Sequence, residues 1–180
     1  MNCWKTIRVN HDYGTLRLMM YSGCTMLFSF LFYYLVVSML IPTQKLTNIG
    51  LLFFILSIVT LVFMHKGLHL IPIWICGKRA TFKVQWVCLI PILSIKTSIP
   101  LSRNLYLTAL LTPVFVITTI GALASALFPM YIAIISILSS IHFGLAFYDI
   151  VYASYLLKAP KRSFVENHEE GFHILVKQAV

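Results

Sequence analysis

Four long runs of apolar residues, almost empty of charge, constrain this chain more than any other feature. The first covers residues 18–41. The second starts near Thr47, is uncharged to Met64, meets His65-Lys66-Gly67-Leu68-His69 and continues apolar to about Cys76. Residues 105–127 form the third, and residues 130–157 the fourth, which is interrupted only by His142 and Asp149. At about 1.5 Å of rise per residue, each run can cross a hydrocarbon core about 30 Å thick. The apolar residues come in blocks rather than in alternation with polar ones, so the solvent they face is lipid. Charged residues make up only 11% of the 180, against roughly 25% in a soluble domain. So few charges cannot cover a water-soluble globule of this size.

The formal net charge of +9 belongs to the same pattern. The basic residues sit between the apolar runs, and no basic stripe with interleaved aromatics suggests nucleic acid. Lysine and arginine number three before the first run (Lys5, Arg8, Arg17), one in the first loop (Lys45) and five in the second (Lys78, Arg79, Lys83, Lys96, Arg103). The third loop has none and the tail has four (Lys158, Lys161, Arg162, Lys177). By the excess of such residues on cytoplasmic loops, both termini are expected in the cytoplasm. The expected organisation is a cytoplasmic segment 1–17, a transmembrane domain 18–157 and a cytoplasmic tail 158–180 carrying Glu166, Glu169 and Glu170. The first run is too long for the apolar core of a signal peptide and no A-x-A site follows it, so it is expected to stay as an anchor. Composition and short tails suit a bacterial plasma membrane. Cys3, Cys24, Cys76 and Cys88 form no C-x-x-C pair and are expected as reduced thiols.

Between the second and third runs, β-branched and aromatic residues partly alternate with polar ones, as in Phe82-Lys83-Val84-Gln85-Trp86. The apolar stretch 84–95 is too short for a helical span. It reads either as one or two short strands at the membrane surface or as an amphipathic interfacial loop. The fold class is therefore an all-α integral membrane bundle of four transmembrane helices, with a small β element between helices 2 and 3.

Titratable groups inside a membrane span are expensive, so each asks for a reason. There are five here: His65, Lys66, His69, His142 and Asp149. Asp149 is the only acidic residue between Asp12 and Glu166. His65 and His69, four apart, lie about 40° from each other on one helix face, and His142 and Asp149, seven apart, share a face likewise. Ser136, Ser140 and Gly144 lie on roughly the opposite face, a small-residue stripe suited to close helix packing. His69 and Asp149 should each sit roughly 10–12 Å inside the cytoplasmic ends of their helices by helix rise. His65, His69 and Asp149 can then converge, and two imidazoles with one carboxylate are a catalytic-zinc ligand set. Two alternatives stay open: a Lys66–Asp149 ion pair flanked by histidines, or residues lining a water-filled cavity. His142 by itself reads as a packing or hydrogen-bonding histidine.

At His65-Lys66-Gly67-Leu68-His69 the chain resembles a bacterial domain-of-unknown-function family described as integral-membrane zincin metallopeptidases. The resemblance covers residues 62–175. It includes the strand-like segment 86–99, Ser102-Arg103-Asn104 before a helix containing Pro113, His142 and Asp149 in the last helix, and the tail from Lys158-Ala159-Pro160-Lys161 through Val165-Glu166 to Gly171. The order also looks like a shortened site-2 protease. The resemblance implies zinc on His65 and His69 with Asp149 as third ligand, and a water attacking a peptide carbonyl. In such enzymes the glutamate after the first histidine takes the water's proton.

Here that general-base position holds Lys66, and no glutamate occurs from residue 1 to 165. A protonated lysine cannot take a proton, and its charge opposes a nearby Zn²⁺. The expectation is thus a zincin-like membrane protein with a degenerate centre, acting by binding other membrane proteins or peptides. One alternative is a working zinc-dependent membrane metallopeptidase. Another is a small oligomeric transporter in which Asp149 carries a coupling proton.

Overall fold

The computed structural model describes residues 2–41, 47, 49–87, 90–97, 99–168 and 171–176. In chain order it has β1 (Asn2–Ile7), α1 (Val9–Tyr13), α2 (Thr15–Leu40), α3 (Leu51–Leu68), α4 (Leu70–Ile75), β2 (Ala80–Val87) and β3 (Ile90–Thr97). There follow β4 (Leu101–Ser102), α5 (Arg103–Leu127), a 3-10 turn (Pro129–Tyr131), α6 (Ile132–Lys158), β5 (Ser163–His168) and β6 (Gly171–Val176). The loop expected around Pro42, Thr43 and Lys45, the thiol of Cys88, and Glu169, Glu170 and Lys177 lie outside the described residues.

The chain is a multi-pass membrane protein of the expected all-α class. Its four membrane-length helices are Thr15–Leu40, Leu51–Ile75, Arg103–Leu127 and Pro129–Lys158. The second of these is α3 and α4 taken together. Each begins or ends within a few residues of an apolar run, because backbone groups at membrane depth must be satisfied within the segment and only a helix does this alone. The small β element between helices 2 and 3 is a hairpin, β2 pairing antiparallel with β3 from Ala80↔Thr97 to Val87↔Ile90. This decides for strands over an irregular interfacial loop.

Two compact units divide the chain, and the division falls at the first residue of α2 and inside α3, α5 and α6. One unit holds Leu16–His65 and Pro113–Asp149. Its contacts are those of helices that meet closely. Ser22 Oγ donates to the Gly144 carbonyl at 2.8 Å, and a Cβ on Gly144 would meet Met26 at 3.4 Å. The small stripe of Ser136, Ser140 and Gly144 is buried, as close packing requires. Tyr33 Oη and Ser125 Oγ share a hydrogen bond at 3.1 Å.

The other unit holds Met1–Thr15, Lys66–Thr112 and Ile150–Val180. A feature the sequence reading did not anticipate lies here, an antiparallel sheet in the order β1-β6-β5-β4. The segments before the first helix and after the last are therefore strands as well as connections. Phe172 and Ile174 alternate with half-buried His173 and Leu175 along β6, the period-2 pattern of a strand with one covered face. Glycine is required at position 171, since a Cβ there would collide with the Ile7 carbonyl oxygen. Leu70, Ile73, Ala80, Leu101 and Ala109 form a buried cluster against Leu105 and Tyr106. Arg103, first residue of α5, donates from Nε to the Leu156 carbonyl at 2.6 Å and from a second guanidinium nitrogen to that of Leu157 at 3.0 Å. A cation thus satisfies two orphan carbonyls at the C-terminal end of α6. Cys3, Cys24 and Cys76 carry free thiols.

Candidate metal centre

His65 occupies the last turn of α3, and His69 stands where α3 gives way to α4. Pro72 explains the break: it has no N–H for the Leu68 carbonyl, so the helical bonding is interrupted one turn before it. His69 keeps helical dihedrals, φ −63° and ψ −28°, so the i, i+4 relation of the two histidines survives. Asp149 comes from α6. All are buried: His65 is 1% exposed, His69 3% and Asp149 8%. Such groups are hydrogen-bonded or hold a metal when buried.

One ligand atom from each of His65, His69 and Asp149 lies within 4.8 Å of the others. Ligands at 2.0–2.2 Å in a tetrahedron are roughly 3.3–3.6 Å apart, so a side-chain shift of order 1 Å would seat one ion. The donor types fit zinc: two imidazole nitrogens and a carboxylate oxygen, the set of catalytic sites that keep a fourth position open. The cluster is geometrically suited to coordinate a zinc ion.

The partners of the rings fit as well. His69 Nδ1 donates to the Ala109 carbonyl at 2.8 Å. A carbonyl only accepts, so Nδ1 carries a proton and Nε2 is the nitrogen that could face a metal. This is how metal-ligating histidines are held, by a backbone or carboxylate oxygen on the other nitrogen. His65 Nε2 lies 3.0 Å from Asp149 Oδ2, and its Nδ1 lies 3.3 Å from His142 Nδ1. His142 is fully buried with its ring edge-on to His65, centroids 5.2 Å apart. It is the hydrogen-bonding histidine expected, and the ring it bonds is a member of the cluster.

Two readings from the sequence are corrected. The centre was expected to be degenerate because Lys66 replaces the glutamate of H-E-x-x-H, leaving the protein's status as an enzyme open and its role one of binding or regulation. The cluster of His65, His69 and Asp149 is complete, and half-buried Lys66 is not a member of it, so the substitution removes no ligand. The Asp149 carboxylate is turned to His65, which favours the metal set over an ion pair with Lys66. The Ala109 carbonyl was missed, because a backbone oxygen leaves no mark in a sequence. The one available signal was Pro113, four residues further along α5.

No curated protein and no solved structure matches the chain. A family model does, over residues 58–164, a span that contains all three residues of the cluster and more than half the chain. The chain belongs to the DUF3267 family, described as "Putative zincin peptidase".

Proposed function

We propose that this protein is a zinc-dependent membrane metallopeptidase, with His65, His69 and Asp149 as the metal ligands. The observation that carries this is the convergence of their ligand atoms within 4.8 Å in a buried setting. Bound there, zinc supplies Lewis-acid chemistry, polarising a carbonyl and making water a nucleophile near neutral pH.

The chain's own residues have four tasks. His69, held at Nδ1 by Ala109, offers Nε2. His65 offers Nε2 toward Asp149, its Nδ1 steadied by His142. Burial excludes bulk water, which strengthens every electrostatic interaction in the site. A carboxylate oxygen of Asp149 would take the proton of the attacking water as the C–O bond forms and give it to the leaving amine as the C–N bond breaks. No glutamate occurs from residue 1 to 165 to take that role, and Asp149 is the carboxylate of the cluster.

The substrate is a peptide segment within or beside the membrane, in keeping with a centre carried on membrane-length helices. The lysine and arginine counts of 3, 1, 5, 0 and 4 support cytoplasmic termini, with the site toward the cytoplasmic side, and the composition suits a bacterial plasma membrane. The test is zinc content and cleavage of a reporter membrane-spanning peptide, for the wild type and His65→Ala. The expected outcome is about one zinc per chain and cleavage in the wild type, with both lost in the variant. Wild-type protein that carries no zinc sinks the proposal.

A further inference from the structure

A proline in the middle of a membrane helix leaves a carbonyl without its helical donor. In α5 that proline is Pro113, and the carbonyl four residues earlier is that of Ala109. In a membrane such a group must find another donor, from a side chain, a water or a neighbouring helix. The donor it has is His69 Nδ1–H at 2.8 Å, in a buried hydrogen bond.

We propose that Pro113 is a positioning residue of the metal centre: having no N–H, it leaves the Ala109 carbonyl to hold His69 at Nδ1, so that Nε2 is the nitrogen offered to the metal. The chemistry runs in one direction. With an N–H at position 113, the Ala109 oxygen would accept the ordinary helical bond. The imidazole would then compete for an oxygen already occupied and aligned along the helix axis. A weaker hold on Nδ1–H lets the ring adopt the other tautomer, whose proton sits on the nitrogen a metal needs bare. Pro113 touches neither substrate nor metal in this account and acts only through Ala109 and His69.

The proposal rests on the metallopeptidase reading for its consequence, but its test does not. Ring ¹⁵N shifts of His69 are measured in the full-length, metal-free chain in detergent, and zinc affinity is measured by chelator competition. Three proteins are compared: wild type, Pro113→Ala, and a chain with lactic acid at 113, which restores the missing N–H no better than proline does. Alanine is the better helix former, so its variant is expected to fold. The wild type is expected to show the Nδ1–H tautomer. Pro113→Ala is expected to populate the Nε2–H tautomer and to bind zinc roughly 10–100-fold more weakly, the range for loss of a ligand's hydrogen-bond partner. The lactic acid chain is expected to match the wild type in both. The proposal is overturned if Pro113→Ala keeps the wild-type tautomer, or if the lactic acid chain behaves like the alanine variant, which would assign the effect to the ring. If the wild type binds no zinc but Pro113→Ala still shifts the tautomer, the peptidase reading falls and only the hold of Pro113 on the His69 ring, through the Ala109 carbonyl, stands.

Discussion

Helices α2 and α6 are close to the same length, 26 and 27 residues, and both are apolar enough to span a membrane, yet they are different kinds of structure. Only 6% of the most apolar window of α2 is buried, against 39% for α6. Leu27, Phe28 and Phe32 of α2 are 64%, 70% and 62% exposed, a surface that is stable against acyl chains and not against water. The buried positions of α6 include Ser136, Ser139, His142, Ala146, Asp149 and Ala153, spaced by threes and fours. The difference teaches that hydrophobicity does not sort inside from outside when the solvent is lipid. Small and polar residues do, because they allow close approach and must be satisfied by protein. The exceptions on α2 obey the same rule, since Ser22 and Tyr33 are the residues that bond to Gly144 and Ser125.

Three substitutions test this contrast. The largest effect is expected at Asp149. Asp149→Ala should remove the bound zinc altogether, measured as metal per chain, while far-ultraviolet circular dichroism keeps its helical signal. Zinc retained at the wild-type level would make α6 a scaffold and not a ligand-bearing helix. A smaller effect is expected at Gly144, where Met26 already stands 3.4 Å from a Cβ position. Gly144→Leu should destabilise the protein by about 1–3 kcal/mol, the usual cost of overpacking, read as a lower unfolding midpoint in detergent. The least is expected on the lipid face of α2. Leu27→Ala should change stability by no more than about 0.5 kcal/mol, and a loss as large as that at Gly144 would mean that α2 is covered by something other than lipid.

The legible part of the candidate site was its cast. His65, His69 and Asp149 stand out because titratable groups are rare in apolar runs, and helical spacing with depth allowed them to converge while leaving a Lys66–Asp149 ion pair and a water-filled cavity open. The reading of Lys66 went wrong for a physical reason. It transferred a role from a sequence motif, whereas the metal set depends on which atoms converge, and the residue between the two histidines is not one of them. The four-stranded sheet escaped for another reason. Its strands come from both ends of the chain and from its middle, β1 against β6 and β4 against β5, and each is too short to announce itself. Phe172 and Ile174 do alternate, but a few residues of period 2 weigh little beside runs of more than twenty.

The order of residues alone establishes that this chain is a membrane protein, that four of its helices are long and apolar enough to cross, and which side chains cannot be there for their hydrophobicity. These follow from one-dimensional quantities, the length of an apolar run and the cost of a charge within it. Only the tertiary structure decided which helix is enclosed, which nitrogen of His69 bears the proton, and that Asp149 meets His65. Those depend on directions in space, and a hydrogen bond is made or lost over distances far smaller than the spacing between residues.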